Sequence, residues 1–376
     1  MKILITTGIF EPEIGGPAEY TPKLAAGLIE RGHTVKVLTY SAFAFGGDAK
    51  YSFPLERVVR TNKFSNYARF FLVALRNVPN YDIIYSLDWF TAGLPLALAA
   101  RLAGKKYLLR IGGGYIWEKY LNDGNPPVTL IDFYRQGIYK RYPVMYAVMK
   151  FVLQGAERII FNSDIQRNFY APQYGLSPER LTTIYNPIPK MLAPVLRGEP
   201  QKEIIFAGRM TEKNNIENCL RAFAASNASG ALTDFTFTFI GDGFLVEKMK
   251  TFAKELGVEN KTAFLPSMRQ KELYERIKNC RYVILPSWTD ISPNTAYECL
   301  SLGIPFLLTT ENYLSIRSQI PLMIDPRSVE DIAEKMRLLS EENAYKEYCA
   351  KLRAIRFNHD WDNVCDEHLK IFNSCL

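Results

Sequence analysis

Two carboxylates eight positions apart, Asp290 and Glu298, offer the most definite chemistry in the sequence. They lie in the run Leu285-Pro-Ser-Trp-Thr-Asp290-Ile-Ser-Pro-Asn-Thr-Ala-Tyr-Glu298-Cys-Leu-Ser-Leu-Gly303-Ile-Pro305. The run reads as the end of a buried strand, a loop and a short helix. Ser292 followed by Pro293 is an N-cap and first helical position, because the N–H that proline lacks would be unpaired there anyway. Gly303 and Pro305 close the helix. Asp290 is therefore expected just before the helix N-terminus and Glu298 about two turns in, on the order of 10 Å further along the axis. A retaining glycosidase pair needs ~5 Å. The longer spacing suits two carboxylates gripping different hydroxyl-bearing parts of one elongated ligand. The amides and positive dipole end between them favour an anion. The plain alternative is a solvated loop Asp and a helix-surface Glu.

Three further loops at predicted strand ends carry candidate groups. Glu11-Pro-Glu-Ile-Gly15-Gly16-Pro17 pairs two glycines ahead of the first helix, where the backbone can approach a phosphate closely or simply make a tight turn. Gly208-Arg209-Met-Thr-Glu-Lys213 offers an arginine fork and a lysine point charge, which suits a diphosphate. Its alternative is an exposed basic loop. Gly241-Asp242-Gly243 follows a buried strand and reads either as a ligand contact or as a turn with a helix-initiating Asp.

The elements that must position these loops alternate strand and helix along 376 residues. Strands are predicted at 2–7, 34–40, 82–86, 106–110 and 158–162, and again at 203–207, 235–240, 262–265, 281–285 and 304–309, with helical spacing between them. Such succession predicts α/β architecture with parallel, doubly wound sheets. Residues 186–200 hold four prolines and read as a linker between two Rossmann-like domains. The chain is 48% apolar and 23% charged, as ordinary globular proteins are, and its formal charge of +7 is spread out rather than clustered. No motif for nucleic acid accompanies that charge. Six cysteines without a C-x-x-C pair point to reduced thiols rather than to a zinc or disulfide framework. The first residues read as a strand rather than a signal peptide, and the longest apolar run, 92–100, contains Pro95 and is too short to span a bilayer.

Taken together the chain resembles the family-4 retaining glycosyltransferases of the GT-B fold. The resemblance rests on Glu-Ile-Gly15-Gly16, Arg-Gly-His33-Thr-Val, Ala156-Glu-Arg-Ile-Ile-Phe-Asn-Ser163, Ile184-Tyr-Asn186-Pro, Gly208-Arg209, Gly241-Asp-Gly-Phe-Leu and the loop–helix of Asp290 and Glu298. It implies two Rossmann-like domains facing each other across a cleft, 1–188 for the acceptor and 189–357 for the donor, with a last helix at about 358–376 returning to the first. The donor implied is a nucleotide-diphosphate-sugar, and the acceptor a glycan, a lipid-linked molecule or a small molecule. Transfer would retain the anomeric configuration without metal or cofactor, in the synthesis of cell-surface polysaccharide or glycoconjugate. Carried over, Glu298 binds the donor ribose, Asp290 the donor sugar, and Arg209 and Lys213 the diphosphate, which makes Asp290, Arg209 and Lys213 the expected catalytic groups. Gly15, Gly16, Gly241, Ile291 and Ser292 complete the expected donor contacts.

Several positions depart from the family. Asp290 stands where a glutamate is usual, Ile291 and Ser292 replace a Gly-aromatic pair, and Lys213 comes one residue early. Gly112 occupies the place of a frequent histidine, and the chain has only His33, His359 and His368. Glu118 and Asp88 are the nearest strand-end carboxylates, readable as acceptor contacts or as structural groups. The segment 133–151 interleaves aromatic and basic residues, which suits either an anionic membrane surface or a helix broken at Pro143. A cytoplasmic enzyme, peripheral on the inner face of the cell membrane, is the expectation. A degenerate sugar-nucleotide-binding scaffold and a GT-B-like epimerase are the competing readings.

Overall fold

Runs such as Lys-Ile-Leu-Ile-Thr-Thr and Glu-Ile-Ile-Phe-Ala are apolar on both faces, which only a sheet covered by helices on both sides can bury. Both become central strands. The structure, a computed structural model, describes residues 1–13, 15–43, 48–188 and 199–376, without the side chains of residues 63 and 64. The chain divides into two units, Met1–Gly113 with Tyr139–Pro187 and His359–Leu376, and Gly114–Ile138 with Ile188–Asn358.

In the first unit, seven strands among the described residues form one parallel sheet: β1 (Lys2–Thr7), β2 (Thr34–Ser41), β3 (Leu55–Val59), β4 (Ile83–Ser86), β5 (Leu108–Ile111), β6 (Arg158–Phe161) and β7 (Leu181–Thr183). Their order is β3-β2-β1-β4-β5-β6-β7, so the winding reverses beside β1. The final helix, Trp361–Asn373, packs in this unit against the helix Gly16–Glu30. Gly27 makes the approach possible, since a Cβ there would stand 2.4 Å from Cys365 Sγ. Arg31 ties the pair through Asp362 at 3.0 Å and Asp366 at 2.8 Å.

In the second unit, six described strands follow the same rule: β8 (Glu203–Ala207), β9 (Thr236–Ile240), β10 (Thr262–Leu265), β11 (Tyr282–Leu285), β12 (Phe306–Thr309) and β13 (Met323–Ile324). The order is β10-β9-β8-β11-β12-β13, all parallel, and the winding reverses between β8 and β11. Loops after those two strands are where a doubly wound sheet leaves room for a ligand. Residues 114–138, inside the stretch 1–188 by sequence, belong with this second unit. Most of the proline-rich linker, 189–198, lies outside the described residues.

The segment 133–151 is divided between the units. It runs through the end of the helix Leu130–Arg135, a 3₁₀ turn at Ile138–Arg141 and the helix Pro143–Gly155, with Pro143 in the first turn where its missing N–H costs nothing. Tyr139 and Tyr146 pack at 4.7 Å between ring centres, and Tyr146 stacks on Tyr174 at 5.1 Å. Among the described residues, no helix is long and apolar enough to cross a membrane. All six cysteines are free thiols.

Candidate functional site

The site in the second unit begins with two loops that touch. β8 ends in Gly208-Arg209-Met210 and β9 in Gly241-Asp242-Gly243. A Cβ on Gly241 would lie 2.0 Å from the Gly208 carbonyl oxygen, and one on Gly243 2.1 Å from that of Met210. Gly241 also sits at φ 145°, which side-chain-bearing residues rarely adopt. Met210 N–H donates to the Asp242 carbonyl at 2.9 Å and Leu245 N–H to that of Met210 at 3.3 Å. Arg209 is thus lifted to the surface on a loop fixed from beneath. Its guanidinium is exposed and makes no hydrogen bond or ion pair among the described residues.

The same loop is bound to the one that follows β11. Trp288 N–H donates to the Lys213 carbonyl at 2.9 Å, and the Asn215 side-chain amide donates to the Pro286 carbonyl at 3.2 Å. Asn215, at φ 55°, is a left-handed residue of the kind asparagine tolerates, and it turns the chain into the helix Ile216–Ala228. Asp290 is held on both sides by backbone, its N–H on the Glu311 carbonyl at 2.9 Å and its carbonyl on Tyr313 N–H at 3.0 Å. Its carboxylate accepts from Ser292 N–H. Crowding by protein atoms pushes the Asp290 carboxyl up to about 6; the Lys213 charge works against that rise and the Glu118 charge adds to it.

Glu298 lies on the helix Asn294–Leu302. It accepts from Gln270 Nε2 at 2.7 Å, and Gln270 opens the helix that follows β10. The helix starts later than Ser292. Pro293, with ψ 86°, is the last non-helical residue, its carbonyl accepts the first bond from Ala296 N–H at 3.0 Å, and no side chain caps it. Ser292 is therefore not the N-cap, and Glu298 stands about one turn into the helix rather than two. Ile291 turns its side chain inward, 7% exposed.

The candidate residues divide between the units. Asp290, Arg209, Lys213, Gly241, Ile291, Ser292 and Glu298 all belong to the second, and Gly15 and Gly16 to the first. Gly16 opens the helix Gly16–Glu30, and a Cβ there would meet nothing within 4 Å, so the space over it is open. Ile14, beside it, lies outside the described residues. Glu11 and Glu13 of this loop are engaged with Lys50 at 2.8 Å and Arg60 at 2.6 Å.

At Gly112 a Cβ would come within 2.2 Å of Asn162 Nδ2, so the asparagine side chain fills the place where a histidine would start. The three histidines are engaged elsewhere: His33 with the N-terminal amine, His359 with Glu367, and His368 with Tyr85 Oη at 3.0 Å. The Asp88 carboxylate accepts Ala92 N–H at 3.0 Å in the turn after β4.

Glu118 is the residue whose place the sequence conceals. It stands in the helix Tyr115–Asn122 of the second unit, and its Oε1 lies 3.1 Å from Lys213 Nζ. Burial opposes its charge, but the Lys213 ammonium, with Arg209 beyond it, holds the carboxyl below the usual glutamate range. The partners are 95 positions apart, and no spacing rule links them.

Family models match this architecture along nearly the whole chain. That for glycosyltransferase family 4 matches residues 14–190, and that for group 1 glycosyl transferases residues 188–354. The chain is a group 1, family 4 glycosyltransferase. An uncharacterized glycosyltransferase of Methanocaldococcus jannaschii is 20% identical to it over 410 residues, spanning 100% of this chain and 99% of the relative. A lipopolysaccharide 1,6-galactosyltransferase of Salmonella typhimurium is 24% identical over 137 residues, 35% of this chain and 37% of the relative. HepE of Anabaena, solved in complex with UDP, superposes with a TM-score of 0.73 over 100% of both chains at 15% identity. WaaG, a glycosyltransferase involved in lipopolysaccharide biosynthesis, does so at 0.74 over 98% of this chain and 99% of that one, at 16% identity. At these identities the structural likeness is one of fold, and the fold of this glycosyltransferase is GT-B.

The raised Asp290 carboxyl makes a stability prediction. Its folded value of about 6 exceeds the unfolded ~3.9, so the folded glycosyltransferase binds more protons between them. Stability is lost as pH rises through that window and stays lost above it. Asp290→Asn removes the titration, so its gain in melting temperature over wild type should be larger near pH 7.5 than near pH 4.5. A gain that ignores pH, or a loss at both values, contradicts the account.

Proposed function

We propose that this glycosyltransferase moves a sugar from a nucleotide-diphosphate-sugar, bound in the second unit, to a glycan or lipid-linked acceptor in the synthesis of a surface polysaccharide or glycoconjugate. One observation carries the donor assignment. The exposed Arg209 guanidinium, without a hydrogen bond or ion pair among the described residues, and the Lys213 ammonium share a loop at the switch point of the sheet, with a helix N-terminus following Asp290. Anions are stabilised by such an arrangement, and the arginine fork fits a diphosphate. Glu298, held by Gln270, is suited to the ribose hydroxyls, and Asp290 to the sugar.

In this reading the bond between the anomeric carbon and the diphosphate oxygen breaks while the acceptor oxygen bonds to that carbon. Arg209 and Lys213 stabilise the charge that develops on the leaving diphosphate. The diphosphate takes the acceptor proton, so no histidine is required at Gly112, and the two cations supply charge that a metal ion would otherwise supply. Retention of configuration rests on the kinship alone. UDP bound to HepE and the galactosyltransferase activity of the Salmonella relative agree with a nucleotide-sugar donor.

The membrane is proposed as the acceptor's location on a separate observation. Val144, Val148 and Phe151 fall on one face of the helix Pro143–Gly155, with Val144 74% exposed and Phe151 38%. Arg101 lies 5.8 Å from the Phe151 ring, next to Leu102 at 69% exposure, and Lys140, Arg141 and Lys150 are exposed nearby in sequence. Exposed apolar side chains with a cation beside them and others close in sequence are features of an interfacial surface.

Two measurements test these assignments. Arg209→Ala should weaken a nucleoside diphosphate about 10- to 100-fold, the worth of charge-assisted hydrogen bonds, and leave the bare nucleoside almost unchanged. Equal losses for both would place Arg209 outside the diphosphate site. Pelleting with anionic vesicles should fall as salt rises, and neutralising Lys140, Arg141 and Lys150 together should reproduce the effect of high salt. No binding at low salt would remove the membrane from the proposal.

A further inference from the structure

The Glu118–Lys213 ion pair has a role beyond binding the donor. Glu118 is not a loose surface group. Its carboxylate accepts Gly114 N–H from the start of its own helix, and it and Lys213 are each only about a quarter exposed, at 25% and 26%. The excursion that brings it there is anchored to the Asp290 loop, because Leu130 N–H donates to Thr289 Oγ1 at 2.9 Å. A second anchor joins Asp132 to Arg327 at 3.3 Å. Glu118 is thereby fixed from the same loop that carries Asp290.

In the empty site the Lys213 ammonium is paired with the Glu118 carboxylate, and Asp290 feels both charges. A diphosphate adds at least two negative charges and competes with Glu118 for the same ammonium. We propose that Glu118 is a positioning residue that holds Lys213 in place in the empty site and, once a diphosphate has taken that ammonium, repels the nucleoside diphosphate and speeds its release. The inference rests on the donor reading above. Glu118 touches no reacting atom. It acts through Lys213, and its cost to product affinity is what allows turnover.

The test is titration of the full chain with UDP, GDP and ADP in turn. Glu118→Gln keeps the shape and removes the charge, so the nucleoside diphosphate that wild type binds should bind about 5- to 20-fold tighter, the usual size of one like-charge contact in a partly buried site. In the Lys213→Met background the same change should still tighten binding but by less, because direct repulsion persists while no ammonium remains to be contested. A merely structural Glu118 would weaken binding in both backgrounds, and unchanged or weaker binding in Glu118→Gln overturns the proposal. If that variant does not fold, Glu118→Asp, which draws the charge back by one methylene, must give a smaller tightening of the same sign. Wild type that binds none of the three nucleotides defeats the donor reading itself. Wild type that binds while Glu118→Gln fails to tighten defeats only the inference.

Discussion

Arg209 and Lys213 stand where they do because Gly241 and Gly243 have no side chains. The loop after β8 lies directly on the loop after β9, and a single methyl at either glycine would overlap a carbonyl oxygen. From that contact the rest of the site follows. Met210 is clamped by Asp242 and Leu245, Lys213 offers its carbonyl to Trp288, and the chain that continues from Trp288 carries Asp290. Two glycines in one turn therefore place cations on one side of the switch point and a carboxylate on the other. Gly241 supports the loop that carries Arg209, since it leaves room for the Gly208 carbonyl.

Electrostatics builds on that scaffold. A carboxylate crowded by protein atoms is expensive to ionise, and the value of about 6 for Asp290 records that cost. Lys213 offsets part of it, while Glu118, on the same ammonium, adds to it. Glu118 joins these groups on a chain excursion, Gly114–Ile138, whereas Lys213 and Asp290 come from loops of the unit's own sheet. Trp117 and Phe133, fully buried, give that excursion its apolar anchor, and Thr289 and Arg327 give it polar ones. A crowded carboxyl that is mostly ionised at neutral pH despite that cost is of the kind expected where function competes with stability.

The central strands were legible in the sequence because burial on both faces leaves a continuous apolar signature, as in β1, β8 and β11. The edges were not. β3 and β7 are half-buried along most of their length and β13 has two residues, so neither periodicity nor apolar runs mark them. The loop–helix of Asp290 and Glu298 was legible as a unit, but its helix begins one residue later than the Ser292–Pro293 pair suggests, with Pro293 at ψ 86° in the N-cap place. Glu118 was visible as a strand-end carboxylate, but its partner Lys213 was not, because contacts between distant segments leave no spacing pattern. Asn162 in the space beside Gly112 was hidden for the same reason.

Hydrogen exchange with and without a bound nucleotide-diphosphate-sugar tests the central claim most directly, since it reports where the donor settles without depending on any variant. The account predicts slowed exchange concentrated in the loops 208–215 and 286–293 and in the first turn of the helix Asn294–Leu302. Protection confined to the first unit, or a donor that binds while those loops exchange unchanged, would contradict it.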